Sequence, residues 1–115
     1  WLDQVYTKFD YQATVIAFAG KLEPSEVLRR YYSSYKRNFT RYNNPVFDET
    51  FNKAEIETDS AKRVKYYKYC QELLTKSAPA AFIADPNNTV LLRNDVRGYE
   101  TYPVLFYNFA KMYFE

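Results

Sequence analysis

The stretch NFTRYNNPVFDETFNKA, Asn38 to Ala54, holds both a turn and the start of a helix. Asn44 has the side chain of a good N-cap, and Pro45 after it fits the first helical position with its fixed φ. Asp48 and Glu49 fall in or near the first turn, where a carboxylate complements the helix dipole. Phe47, Phe51 and Ala54 follow at steps of four and three, one face of a helix that the spacing ends near Glu57.

Downstream, TDSAKRVKYYKYCQELLTKSAP predicts the longest helix of the chain, from about Asp59 to Lys76. Thr58 or Asp59 caps it, Ala61, Val64, Tyr67, Cys70 and Leu74 mark its face, and Pro79 stops it. Val64, Tyr67, Cys70 and Leu74 are expected to point inward. AAFIAD and TVLLRND then read as two strands about the turn at Pro86-Asn87-Asn88, and Gly98 makes a further turn. Helix and strand fit the last run, Val104 to Glu115, about equally. Upstream, Pro24 and Glu26 favour a helix from about Pro24 to Tyr32. The aromatic and β-branched stretch Phe9 to Ala19, wholly apolar over ATVIAFA, suits a strand buried on both faces and ended by Gly20, and Trp1 to Lys8 reads as the end of a helix. The sum is a mixed α/β or α+β layer. A doubly buried strand needs neighbours that the rest of the chain barely supplies. With Trp1 at its head in place of methionine, the chain reads as the tail of a larger protein.

Composition narrows function by exclusion. The chain has 115 residues, 20% of them aromatic with thirteen tyrosines, and no histidine. Ser-His-Asp and Cys-His catalysis and histidine zinc sites are therefore out, and two glycines leave no phosphate-cradling loop. The acids, Glu55 and Glu57 among them, read as solvated helix surface, so no enzyme is expected, and neither a metal nor a cofactor. Cys70 stands alone and reads as a small apolar group. No apolar run approaches the ~20 residues of a membrane span. Arg29, Arg30, Lys36, Arg37 and Arg41 interleave with Tyr31, Tyr32, Tyr35 and Phe39, the residue types that bind single-stranded nucleic acid. A net charge of +2 is small for such a module, and the same pattern fits a helix with charges outward and rings inward. A nucleic-acid or protein interaction module is the alternative reading. NFT at Asn38 and NNT at Asn87 match the N-glycosylation pattern, a short and common triplet.

Read in order, the chain resembles the C-terminal portion of an extracellular solute-binding protein of ABC importers, in the family with oligopeptide-, dipeptide- and nickel-binding members. The resemblance runs through Phe9-Asp10-Tyr11, Ala17-Phe18-Ala19 with Glu23-Pro24, Tyr42, Asn44-Pro45, Phe47-Asp48 and Ala54. It continues in Asp59, Ala61 and Arg63, Gln71, Leu73 and Leu74, Ala78-Pro79, and Asn94-Asp95-Val96 with Gly98-Tyr99. It implies part of the second lobe of a type II periplasmic-binding-protein-like fold, a mixed α/β sheet flanked by helices. Residues 1–98 would belong to that lobe, and 99–115 would return toward the first. The implied function is capture of a small solute, a peptide among the candidates, outside the cytoplasmic membrane. The full-length protein would be periplasmic or lipid-anchored at the cell surface and would meet ABC permease subunits. Nucleic acid is not an implied partner, and the piece alone is expected to self-associate. Phe18, Ala19, Gly20, Lys21 and Glu23 would line the solute cleft. Here the sequence departs from peptide-binding relatives, which often carry a tryptophan and then an aspartate: Phe18 and Gly20 stand in those places, followed by Lys21. Lys21 would favour an anionic or neutral solute group over a free α-ammonium.

Overall fold

The computed structural model describes residues 1–104 and 106–115. The chain divides into two compact units, one formed by Trp1–Ala17 with Lys21–Ala81 and the other by Phe18–Gly20 with Phe82–Glu115.

The first unit is helical. A π-helical turn at Leu2–Thr7 precedes α1 (Pro24–Leu28), which tightens into a 3-10 turn at Arg29–Tyr31; α2 (Pro45–Ile56) and α3 (Ser60–Ser77) follow. Asn44 caps α2: its side-chain oxygen accepts from the Val46 and Phe47 N–H groups at 3.0 and 3.2 Å. Asp48 is also held from outside the helix, accepting from the Ser33 N–H at 3.1 Å and from the Ser33 hydroxyl. Asp59 repeats the cap on α3, accepting from the Ala61 and Lys62 N–H groups at 2.9 and 3.1 Å. At the far end Ala78 turns left-handed, φ 46 and ψ 51, and its N–H bonds the Leu74 carbonyl at 2.8 Å. This closure normally recruits glycine.

The core lies where α2 packs on α3, joined by α1 and the turn before α2. Leu28, Tyr42, Phe47, Phe51, Ala54, Tyr67, Cys70 and Leu74 are buried together, and Tyr31, Tyr32, Tyr66 and Leu73 pack against them. Phe47 and Phe51 stack at 6.1 Å, and Tyr42 meets Phe47 edge to face at 5.5 Å. Burying each such ring contributes about 1.5–3 kcal/mol. Tyr67, Cys70 and Leu74 lie inside, but Val64 is 51% exposed and Ala61 is exposed as well. The reason is helical phase. The buried stripe steps back from Tyr67 by four residues to Arg63, and Val64 lies about 100° away from it.

The expected strands at 9–19, 80–85 and 89–95 are not formed. A strand exists only through pairing, and among the described residues no ladder reaches these segments. Phe9 is left-handed at φ 55, and Val15 is 81% exposed. The second unit holds the two-stranded antiparallel sheet, β1 (Val96–Arg97) against β2 (Tyr113–Phe114), with Val96 opposite Phe114. Gly98 turns out of β1 at φ 76, and a Cβ there would sit 1.9 Å from the Lys111 carbonyl oxygen. The apolar C-terminal run thus resolves into a 3-10 turn, Phe109–Lys111, and β2. Leu105, part of that run, lies outside the described residues.

Candidate functional site

The segment singled out in the sequence is divided between the units. Phe18, Ala19 and Gly20 belong to the second, and all three are exposed, Phe18 to 46%. A Cβ on Gly20 would meet the Pro103 carbonyl oxygen at 3.9 Å, an ordinary contact. Crowding therefore does not demand glycine at position 20. Lys21 and Glu23 belong to the first unit, where Lys21 is exposed.

Glu23 is the N-cap of α1, but its side chain makes no cap bond there. It reaches α3 instead, accepting from Arg63 Nη2 at 2.6 Å. The same Nη2 donates to the Tyr67 hydroxyl at 3.2 Å, while Arg63 Nε donates to the Ala54 carbonyl at 3.3 Å. The guanidinium carbon lies 5.3 Å from the centre of the Tyr67 ring. The Tyr67 oxygen stands 3.4 Å from a Glu23 oxygen and 3.5 Å from a Glu55 oxygen, and its one proton can serve only one of them at a time. Glu55 also accepts from Arg29 Nη2 at 2.6 Å. Two guanidiniums, two carboxylates and a phenol thus join α1, α2 and α3 at one end of the core. Burial raises the Tyr67 pKa, with Arg63 opposing it, so the hydroxyl stays protonated and able to donate at neutral pH. The sequence motifs marked Arg63 but did not connect it to Glu23, forty residues earlier; the step of four back from Tyr67 could have placed Arg63 on the buried stripe, but its partner is set by how α1 packs on α3.

The basic and aromatic residues of 29–41 do not form a stacking platform. Tyr31 and Tyr32 pack on the core, Phe39 is buried beside Trp1 at 5.9 Å, and Arg29 is paired with Glu55. Arg41 bonds the Phe9 carbonyl at 2.7 Å and lies 5.2 Å from the centre of its ring. Three of the four rings that would have to stack on bases, Tyr31, Tyr32 and Phe39, are turned inward, and Tyr35 alone borders open surface, so the nucleic-acid reading is not favoured. Asn38 is buried as well. Its amide donates to the Tyr32 and Tyr42 carbonyls at 3.2 and 2.8 Å, and its oxygen accepts from Thr40 at 2.8 Å. Asn38 of the NFT triplet is therefore a turn brace. A shallow depression of about 370 Å³ between Phe9, Ser33, Lys36, Arg41 and Asn43 opens widely to solvent. It is too open to enclose a solute.

Among the described residues no cluster of histidine, cysteine, aspartate and glutamate could hold a metal ion, and no helix is long and apolar enough to cross a membrane. No protein-family profile and no solved structure matches the chain. The periplasmic murein peptide-binding protein MppA of Escherichia coli (strain K12) is 31% identical over 77 residues, 67% of this chain and 14% of that protein. The match is to a binding protein and covers a small part of its length.

Proposed function

We propose that this chain is part of a solute-binding protein outside the cytoplasmic membrane, one that delivers a peptide or a similar small solute to an ABC importer. The likeness to MppA, a periplasmic peptide-binding protein, is the observation that carries this reading. In this reading residues 1–98 contribute to the second lobe, a mixed α/β layer, and 99–115 return toward the first. The exposed apolar run about Val15 and Ile16 supports it, because a doubly apolar segment without a ladder is what further strands of such a lobe would cover. No bond is made or broken. The solute is buried between lobes, and its better fit to the closed state shifts the population toward the form a permease recognises.

Phe18 to Glu23 supply this lobe's wall of the cleft. Phe18 offers a ring, Ala19 and Gly20 offer backbone, and Lys21 offers a cation. Bringing a solute's ammonium against Lys21 in a partly desolvated cleft costs repulsion, so an anionic or neutral group is preferred there. Calorimetry on the full-length protein, with a free-amine peptide and its N-acetylated form, tests this. Wild type should bind the acetylated form at least as well, and Lys21→Asp should move the preference toward the free amine. Absence of peptide binding removes the function. Binding with a strong free-amine preference, unchanged in Lys21→Asp, removes the role of Lys21.

A further inference from the structure

The polar junction at the end of the core has a job that charge pairing alone does not explain. Arg63 uses two sides of one planar group on three elements: Nε on the Ala54 carbonyl in the last turn of α2, Nη2 on Glu23 before α1, and Nη2 again on Tyr67 of α3. Glu23 gives up a local cap of its own helix to make this contact. We propose that Arg63 is a positioning residue that clamps the chain at Glu23 and so fixes the place from which Lys21 meets the solute, a role that rests on the solute-binding reading. Two residues span at most about 7 Å, so an anchored Glu23 confines the Lys21 backbone to a sphere of about that radius. Without the anchor, α1 has five residues and a missing side-chain cap to hold its start. A helix that short has little stability of its own.

The planar fork matters more than the charge. A lysine at 63 has a single nitrogen and cannot reach the Ala54 carbonyl and the Glu23 carboxylate in the same geometry. Arg63→Lys should therefore release the clamp while leaving the formal charge as it is.

The experiment has two arms. Amide hydrogen exchange on this chain compares wild type, Arg63→Lys, Glu23→Gln and the double variant. The Glu26 amide, bonded to the Glu23 carbonyl at 3.1 Å, reports on the start of α1. Its exchange should quicken about tenfold in either single variant, the order expected for losing a charge-assisted hydrogen bond. The double variant should go no further, because both changes break one contact. The amides of Cys70 and Leu74, deep in α3, should not change. An unaltered Glu26 amide, effects that add in the double variant, or equal quickening at Cys70 and Leu74 would each overturn the clamp. In the second arm the N-acetylated peptide dissociates from the full-length protein. Arg63→Lys should speed dissociation several-fold when Lys21 is present and have no effect in a Lys21→Asp background. Equal effects in both backgrounds overturn the positioning role. A wild type that takes up no peptide, with exchange altered as expected, removes the solute-binding reading and the role of Lys21 while leaving the clamp in place.

Discussion

Gly98 and Ala78 both sit at left-handed positions, and the substitutions they invite have opposite signs. At Gly98 the positive φ coincides with the Lys111 carbonyl oxygen 1.9 Å from any Cβ. Gly98→Ala must move backbone, and about 2–3 kcal/mol of local stability should be lost, read as disappearance of the Val96–Phe114 pairing in amide spectra. Ala78 already carries a Cβ at φ 46. Ala78→Gly removes a left-handed penalty of about 1–2 kcal/mol and adds an unfolded-state entropy of about 0.4–1 kcal/mol, so a net gain of up to about 1.5 kcal/mol should appear in denaturant titration. Cys70 is a third case. Burial pushes its thiol from an ordinary 9.0 up to about 11. Its folded pKa is raised, so its stabilising contribution is complete below about pH 9 and is lost as pH rises through about 11. Alkylation of Cys70 at pH 8 should therefore be far slower than in the denatured chain, and a native rate matching the denatured one would show the thiol to be open.

The two long helices were legible because their signals are local. Asn44-Pro45 and Asp59 name their own caps, and a cap needs only the N–H groups two and three residues on. Asn44→Ala and Asp59→Ala should each cost about 1 kcal/mol, measured as a shift in the denaturation midpoint. The strands were not legible for the converse reason: an apolar run such as Ala13 to Ala19 is a strand only if a partner pairs with it, and the partner is written nowhere in the run. Val64 was misplaced by one residue of phase. Aliphatic side chains attract the eye, and the stripe in fact passes through Arg63, whose stem and ring contact do the covering. The expected consequence is a contrast within one experiment. Val64→Asp should shift stability by no more than roughly 0.5 kcal/mol, as for other exposed sites, whereas Phe47→Ala, at a fully buried ring, should cost about 3–5 kcal/mol.

Across the whole chain, helices gather the first unit around a shared core, while the second leaves large apolar side chains in water. Phe82 is 70% exposed and Leu91 is 93% exposed, and Phe106, Phe109 and Phe114 are exposed too. Apolar patches and unpaired edges drive association. Sedimentation of the chain should show mass rising with concentration; a clean monomer at high concentration would mean that these side chains are covered some other way. The candidate site was legible only as a segment. Residues 18–23 could be picked out by resemblance, but the assignment of Glu23 to Arg63 depends on how α1 and α3 pack, which no local pattern encodes. Asn38 carries a consequence of a different kind, chemical ageing. Asparagine deamidates when the next backbone nitrogen can swing onto its side-chain carbonyl, and the Asn38 amide is buried and bonded to two carbonyls. Asn87 and Asn88 are exposed and outside any regular element. A stored solution should keep its turn at 32–42 intact and accumulate new carboxylates at 87 and 88, each lowering the formal charge of +2 by one. Ion-exchange chromatography followed by peptide mapping would then find the clock of this molecule in its second unit, with the braced asparagine still an amide.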